Sequence, residues 1–380
     1  MKAGEIRAAL KPHLDIAQHK NDMGGVAHLV VHFAIAIASL SAAALHIHDW
    51  PWYITLGLAV IAGHSGLVCS FAGHEIAHGV GKMPRWVRRS LELIGWTFTI
   101  FATATSQRRA HNVAHHRHTN TPHDPDRRLT LAECEKIGPI TRVMEWLVPN
   151  RRHPTLTMIW GFSFMIYSYH TSLLVHTQLQ TGELYDLKME PRERRRFLAE
   201  VMLNIGILAG IWALSGFSLY MLFLIWVTYF TATTIAGWYI TTNHLLTGFE
   251  ESGNHPLSTT VSLELPRWID WLHLNFSHHT EHHLYPAYSY HALPKIKAAL
   301  QREFAAEYKS LTWFEAIALL RQSHVAMLDH QTYVSLDGEE SLGVFYPTTE
   351  PSSAPRQPQP ETRPGASTLP LGASIEPVGS

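Results

Sequence analysis

The chain has 380 residues, a formal net charge of −1 and 27 histidines, nearly as many as its 30 lysines and arginines together. Because there is no basic excess, nucleic acid is not expected as a partner. The two cysteines, Cys69 and Cys134, are too few for a disulfide framework or a cysteine-rich zinc site. Any metal in this protein must therefore be held by nitrogen and oxygen.

Two apolar stretches follow a polar N-terminal segment. Residues 24–45 and 52–73 each supply about the 20 apolar residues that cross a bilayer, and neither stretch contains Asp, Glu, Lys or Arg. The first stretch is longer than the apolar segment of a cleaved signal peptide. We predict two transmembrane helices, the first of which stays in the protein as an anchor.

A second pair of transmembrane helices is predicted at residues 197–214 and 217–242, joined by an uncharged turn. Residues 46–51 contain no Lys or Arg, whereas many follow the second helix, so the positive-inside rule places the N-terminus and the histidine-rich region in the cytoplasm. A fifth apolar run, residues 156–175, has cationic flanks on both sides and is predicted to be re-entrant or interfacial. The predicted fold is all-α and integral to the membrane, with four helices in two hairpins, a cytoplasmic helical cap and both termini cytoplasmic.

The most histidine-rich part of the chain is residues 111–126, which hold five histidines and two aspartates. One such stretch alone could be a polar, solvated loop. On a helix with about 100° per residue, His111 and His115 lie about 40° apart and His116 lies about 100° further round. A helical box of this kind can serve two metals at once.

Two further boxes favour a metal site over a polar loop. The sequence HEIAH begins at residue 74 and HTEHH at residue 279, and the predicted topology brings all three boxes to one cytoplasmic surface. In the third box His279 is preferred to His278 because it shares a helix face with the two histidines that follow. The histidine at the end of the last predicted helix is a ninth candidate, with a polar helix end as the alternative. The predicted metal ligands are His74, His78, His111, His115, His116, His244, His279, His282 and His283.

Other polar residues beside the boxes are candidates for orienting the imidazoles. We predict that they accept or donate hydrogen bonds that fix ligand tautomers, with a salt bridge as an equal alternative for each aspartate. They are Glu75, Asp124, Asp126, Asn243 and Glu281. His28, His32 and His64 lie inside the predicted membrane helices, and we interpret them as neutral imidazoles bonded to neighbouring helices.

The order and spacing of the boxes resemble the membrane fatty acid desaturase superfamily. HEIAH, HNVAHH and FSHHTEHHLYP correspond to its three histidine boxes. The resemblance implies a four-helix membrane stalk and a cap that holds a non-haem di-iron site of two Fe²⁺ ions. It also implies an O₂-dependent reaction that introduces a double bond into a fatty acyl chain linked to a lipid, CoA or a carrier protein. The chain lacks the His-Pro-Gly-Gly motif of a fused cytochrome b5 domain, so an external electron donor such as ferredoxin is expected.

Alternatives remain open at the level of the sequence. Hydroxylases, ketolases and alkene-forming decarboxylases share these boxes, and Glu75 stands where many desaturases have Asp. HEIAH is also a zinc-protease signature, in which His74 and His78 would bind zinc and Glu75 would be the general base. A membrane zinc metalloprotease would leave at least five clustered histidines without a role, and a non-enzymatic metal carrier is a further alternative.

Three parts of the chain are predicted. Residues 1–23 form a cytoplasmic segment, residues 24–346 form the desaturase-like membrane domain with its cap, and residues 347–380 form a tail. Within the cap, helices are expected at residues 291–308 and 311–327. The tail is rich in Pro and Ser and has no aromatic residue, so it cannot bury a core and is predicted to be disordered and dispensable.

Overall fold

A helical hairpin forms the first half of the membrane part in this computed structural model. A short helix, Ala3–Leu10 (α1), and two 3₁₀ turns precede the long helices Gly24–Leu45 (α2) and Trp52–Ala77 (α3). The second of these runs about one turn beyond the predicted residue 73, because the first break in the sequence is Gly79, whose φ of +92° ends the helix. The first histidine box therefore lies on the last turn of α3.

The structure describes residues 2–99, 102–139, 141–142, 145, 150–153, 189–250 and 255–347. The predicted re-entrant run at residues 156–175 lies outside the described residues, as does almost all of the predicted tail.

The segment that follows the hairpin folds back along α3. Arg85–Gly95 (α4) packs on α3. A Cβ atom on Gly95 would lie 2.7 Å from the Cα atom of Gly73, so these two glycines allow the helices to touch one residue before the first box. A continuous helical segment then comprises Ala104–Gln107 (α5), the π-helix Arg108–His115 and His116–His118 (α6), and Leu131–Ile137 (α7) follows it.

The second hairpin consists of Pro191–Leu214 (α8) and Leu219–His244 (α9). With α2 and α3, these are four helices long and apolar enough to cross a membrane, which confirms the four predicted ones. Each leaves large apolar side chains exposed, for example Val30, Val60, Met202 and Leu222, as expected for helices that face lipid. The helix α9 lies against α3, and the carbonyl of Thr228 touches the position where Gly63 lacks a side chain.

The cap is mainly helical, which agrees with the predicted all-α fold, and it adds five short strands. Its helices are Pro256–Thr259 (α10), Arg267–Leu272 (α11), His279–Leu284 (α12), Leu293–Glu303 (α13) and Trp313–Gln322 (α14). Its strands are Ser262–Glu264 (β1), Ser310–Thr312 (β2), Ala326–Asp329 (β3), Thr332–Val334 (β4) and Ser341–Gly343 (β5). The strands β1 and β2 pair in parallel, and β3, β4 and β5 form an antiparallel sheet.

The predicted cap helix at residues 311–327 is therefore wrong at both ends. Thr312 begins α14 by accepting a hydrogen bond from the backbone N–H of Glu315, while the residues before it pair as β2. After α14 the chain is extended again, and Ala326 and Met327 pair with β4. The main apolar core runs from α3 and α9 into α12, α13 and α14, so it fixes the cap on one end of the helix bundle.

Candidate metal centre

The nine predicted histidines come from four separate elements. His74 lies on the last turn of α3 with His78 just after it, and His244 is the last residue of α9. The central helical segment supplies three histidines and α12 supplies the other three. The side chains of these elements converge where the cap meets the helix bundle, and there they form two groups.

The larger group, the five-histidine cluster, comprises His74, His78, His111, His116 and His282. Its Nε2 atoms face one another. The Nε2 atom of His74 lies 2.7 Å from that of His111 and 3.2 Å from that of His78. The Nε2 atom of His116 lies 3.1 Å from those of both His111 and His282.

The second group, the four-histidine cluster, comprises His115, His244, His279 and His283. Its Nε2 atoms also face one another. The Nε2 atoms of His279 and His244 lie 2.6 Å apart. The Nε2 atom of His283 lies 3.2 Å from the Nε2 atom of His115 and 3.2 Å from the Nε2 atom of His279. These side chains are deeply buried, since His115, His244 and His279 are at most 2% exposed.

The two donor sets fit metal cations. Two nitrogens bound at right angles to one ion at about 2.1 Å lie about 3 Å apart, which is close to the spacings in both clusters. Hydrogen bonds alone cannot satisfy these mutually facing Nε2 atoms, because each one carries either one proton or one lone pair, whereas His74 and His116 each have two such neighbours. Lone pairs that converge in this way need a cation, and imidazole suits iron as well as zinc.

Electrostatics keep most of these imidazoles neutral. Burial and neighbouring imidazoles hold the pKa values of His78, His116, His279, His282 and His283 well below the ordinary histidine value. An unprotonated imidazole is the form that binds metal. The clusters are therefore prepared for ligation at neutral pH.

His115 is the exception among these histidines. Burial alone would lower its pKa, but Asp124 and Asp126 raise it to about 9. The Nδ1–H group of His115 donates to Asp124 Oδ1 at 2.9 Å, and Asp126 Oδ2 lies 3.4 Å from the same nitrogen. The two aspartates therefore fix the Nδ1–H tautomer, and a metal cation at Nε2 would replace the second proton of His115.

The π-helix explains how one box can serve both clusters. Arg108–His115 is wound more widely than an α-helix, and such segments often occur at functional sites. His111 and His116 enter the five-histidine cluster, whereas His115 enters the other. Two anchors hold the segment in place: Arg108 binds the buried carboxylate of Glu92 on α4, and the hydroxyl of Thr105 donates to Glu200 on α8 at 2.8 Å.

The remaining predicted partners differ in what they contact. Glu75 accepts a hydrogen bond from the backbone N–H of Tyr290 at 2.8 Å, and Glu281 accepts one from Ser262 at 2.6 Å. In the described part of the chain neither carboxylate contacts an imidazole, unlike the two aspartates. Asn243 is fully buried, and both polar atoms of its side chain lack a partner among the described residues.

Other histidines stay outside both clusters. His278 is buried but is not among the grouped ligands, as the helical angles of the third box predict. His64 Nε2 lies 3.0 Å from His273 Nε2, and His32 Nδ1 lies 3.4 Å from the hydroxyl of Ser65. His32 and His64 are thus bonded to neighbouring elements, whereas His28 packs edge-on against the rings of Trp271 and Tyr290.

A cavity adjoins the five-histidine cluster. It is small, with a volume of about 20 Å³, and its walls include His74 and His282. The rest of its lining is mostly apolar or aromatic: Phe71, Glu75, Leu274, Phe276, Tyr288, Tyr290 and Leu293. No wall residue belongs to the four-histidine cluster, so this cavity reaches one cluster only.

The arrangement does not fit a zinc protease. His74 and His78 of HEIAH lie with three further imidazoles rather than in an open site with two or three protein ligands. Glu75, which would be the general base, is bonded to a backbone amide. The geometry instead brings nine histidines together in two groups, each of which could hold a metal ion.

Comparison with known proteins places this chain in a family. The model of the Fatty acid desaturase family matches residues 49–315, which is well over half of the chain. The chain therefore belongs to the fatty acid desaturase family, as the three boxes predict, and family membership implies an oxidoreductase. None of the curated proteins compared with the chain matches it.

Two residues near the site were missed from the sequence. Thr119 and Asn120 follow the central box and are buried beside the four-histidine cluster, where they bond to its histidines and to their backbone. The available signal was the short polar run Thr-Asn-Thr directly after a histidine box. Short polar side chains of this kind often bond to nearby backbone groups.

Proposed function

We propose that this protein is an O₂-dependent, non-haem di-iron membrane oxidase that introduces a double bond into a fatty acyl chain. The observation that carries the proposal is the pair of clusters in which nine imidazole Nε2 atoms converge. Membership of the fatty acid desaturase family supports iron as the metal and a fatty acid as the substrate class. Hydroxylation, ketone formation and alkene-forming decarboxylation by the same centre are the alternatives.

Each cluster would hold one iron ion through its Nε2 atoms. When bound, the two ferrous ions supply the redox chemistry that reduces O₂ and removes hydrogen from an unactivated methylene. One O₂, two electrons, two protons and two vicinal hydrogens of the chain give two waters and a double bond. Around the metals, Asp124 and Asp126 keep His115 in the Nδ1–H tautomer, and burial keeps bulk water from the four-histidine cluster.

The cavity beside His74 and His282 supports an apolar substrate. Its lining of Phe71, Leu274 and Phe276 would bury methylenes, each at a gain of about 0.8 kcal/mol. A chain bound along this lining would bring its carbons next to the five-histidine cluster. We propose this cavity as part of the route of the acyl chain.

The reaction needs electrons from outside the chain. We propose ferredoxin or a similar carrier as the donor, because the sequence has no fused haem motif. We also propose that the metal centre and both termini are cytoplasmic, on the charge asymmetry around α2 and α3. Labelling of engineered cysteines between residues 183 and 196 from outside the cell would contradict that orientation.

The function is tested by expression in a host that supplies a ferredoxin and its reductase. Gas chromatography of total host lipids should show a fatty acid with an additional double bond, and His115→Ala and His282→Ala should abolish it, since each removes a ligand. New hydroxy acids or terminal alkenes would overturn desaturation while keeping the metal centre. Activity that survives both substitutions would overturn the centre itself.

Metal content provides the control for this experiment. Protein purified from iron-supplemented medium should contain close to two irons per chain, one for each cluster. Stoichiometric zinc without iron-dependent activity would contradict the proposal and revive the metalloprotease alternative.

A further inference from the structure

Thr119 and Asn120 form hydrogen bonds with three of the four histidines in the four-histidine cluster, through a side chain or through the backbone. Both residues are buried, at 3% and 2% exposure. They follow the central helical segment, and Asn120 has a φ of +53°, in the left-handed region that asparagine tolerates better than most residues. A buried polar pair in this conformation is held by specific hydrogen bonds, and here those bonds lead to metal ligands.

Thr119 connects two imidazole ligands. Its hydroxyl donates to the carbonyl of His115 at 2.9 Å. The same oxygen lies 3.3 Å from Nδ1 of His283 and, with its own proton already used, accepts from the Nδ1–H group. This contact leaves the lone pair of His283 on Nε2, which points into the cluster.

Asn120 connects the central box to the end of α9. Its side-chain amide donates to the carbonyl of His244 at 3.1 Å and to the hydroxyl oxygen of Thr247 at 2.6 Å. Its backbone N–H donates at 2.7 Å to Oδ2 of Asp124, the carboxylate whose other oxygen orients His115. One residue therefore fixes the backbone of one ligand and the orienting group of another.

We propose that Thr119 and Asn120 are positioning residues that assemble the four-histidine cluster and hold its metal, without contacting that metal. The inference rests on the proposed function, because it requires two metal ions. In the described chain neither residue bonds to a ligand of the five-histidine cluster, so the effect is selective. Loss of such outer contacts lowers metal affinity about 10–100-fold.

The test uses Thr119→Val, which removes the hydroxyl at nearly constant shape, and Asn120→Gly, which removes the amide but keeps the positive φ available. Thr119→Ser should restore what Thr119→Val loses. Asn204→Ala is the matched control, because Asn204 is also fully buried and donates to the carbonyl of Trp96 at 3.1 Å, but on α8. Each protein is loaded with two equivalents of ⁵⁷Fe per chain, freed of loosely bound iron, and measured by elemental analysis and Mössbauer spectroscopy, with His282→Ala and His283→Ala as references for the two sites.

We expect the wild type and Asn204→Ala to keep two irons per chain. The iron content of Thr119→Val and Asn120→Gly should fall towards one per chain, and both variants should lose the Mössbauer signal that His283→Ala also loses. If Asn120→Gly does not fold, the Thr119 variants decide. If the folded variants keep two irons and unchanged spectra, the inference is wrong but the proposed function is not. The same holds if Asn204→Ala loses as much iron as they do. A wild type with one iron or none would overturn the proposed function, and the inference with it.

Discussion

The two histidine clusters contain the same chemical groups but are built in different ways. The ligands of the five-histidine cluster come from the end of α3, the central helical segment and α12, and two of them form part of a cavity wall. Those of the four-histidine cluster are more deeply buried, and hydrogen bonds with Asp124, Thr119 and Asn120 hold them or their backbone. Helices carry the ligands of both clusters, and the second cluster is held in addition by the hydrogen-bonded loop that follows the central helical segment.

This difference suggests a division of labour. A cluster next to a cavity can face a substrate, whereas a buried cluster with fixed tautomers can keep its metal while the other site changes its surroundings. Asn243 adds to the contrast, because its fully buried amide precedes His244 and has no partner among the described residues.

The largest expected effect comes from two adjacent histidines that serve different clusters. His282 belongs to the five-histidine cluster and His283 to the four-histidine cluster. Each substitution to Ala should abolish activity and leave about one iron per chain, because each removes a ligand from one site only. Mössbauer spectra of the two variants should differ, with each retaining a different signal. Identical spectra would refute the assignment of neighbouring residues to separate sites.

A smaller effect is expected where an orienting carboxylate is removed. Asp124→Asn loses the charged acceptor for His115 Nδ1, so affinity for the metal of the four-histidine cluster should fall about 10–100-fold. Glu75→Gln is the comparison, because Glu75 is bonded to the backbone of Tyr290 and its amide analogue can still accept that bond. Iron titration should show one weakened site in the first variant and two normal sites in the second. A weakened site in Glu75→Gln would mean that its carboxylate acts on the ligands after all.

The two clusters should lose their metal ions to a chelator at different rates. A chromogenic ferrous chelator should extract iron in two phases, the first from the five-histidine cluster, which adjoins the cavity, and the second from the buried cluster. The slow phase should be missing in His283→Ala. A single phase in the wild type, or a slow phase that survives in that variant, would contradict the difference in access.

Much of this architecture could be predicted from the sequence, because it depends on local patterns. The four long apolar runs determine the membrane helices, and the spacing of the boxes picks out all eight box histidines that the structure groups. His244 belongs to no box and could be suggested only from its place at a helix end. The sequence does not predict which cluster each histidine joins, because that assignment depends on the π-helix and on contacts between distant segments.

The strands of the cap could not be predicted from local sequence patterns either. The strands β1 and β2 are three residues each and lie 45 or more residues apart in the chain, so no periodic pattern reveals their pairing. The partners of Glu75 and Glu281 were out of reach for the same reason: both residues are close to a box in sequence, but their carboxylates bond to groups more than 15 residues away. Proximity to a ligand along the chain did not determine which groups orient that ligand.

The smallest expected effect tests whether Glu281 acts on the ligands or on the cap. It lies between His279 and His282, yet its carboxylate accepts hydrogen bonds from Tyr308 and Ser262, beside the paired strands β1 and β2. Tyr308→Phe removes one of these bonds. If the carboxylate only supports the cap, the variant should lose about 1 kcal/mol of stability, a few degrees in the unfolding midpoint, and keep two irons.

Tyr220→Phe is the control for this last measurement, since its hydroxyl donates to the carbonyl of Trp52 at the opposite end of the helix bundle. It should change neither iron content nor affinity, and its midpoint should shift less because the lost bond is exposed. Loss of iron in Tyr308→Phe but not in Tyr220→Phe would show that Glu281 transmits order from the strands to α12. Since α12 supplies ligands to both clusters, both Mössbauer signals would then weaken together, and the two sites would be less independent than their separate surroundings indicate.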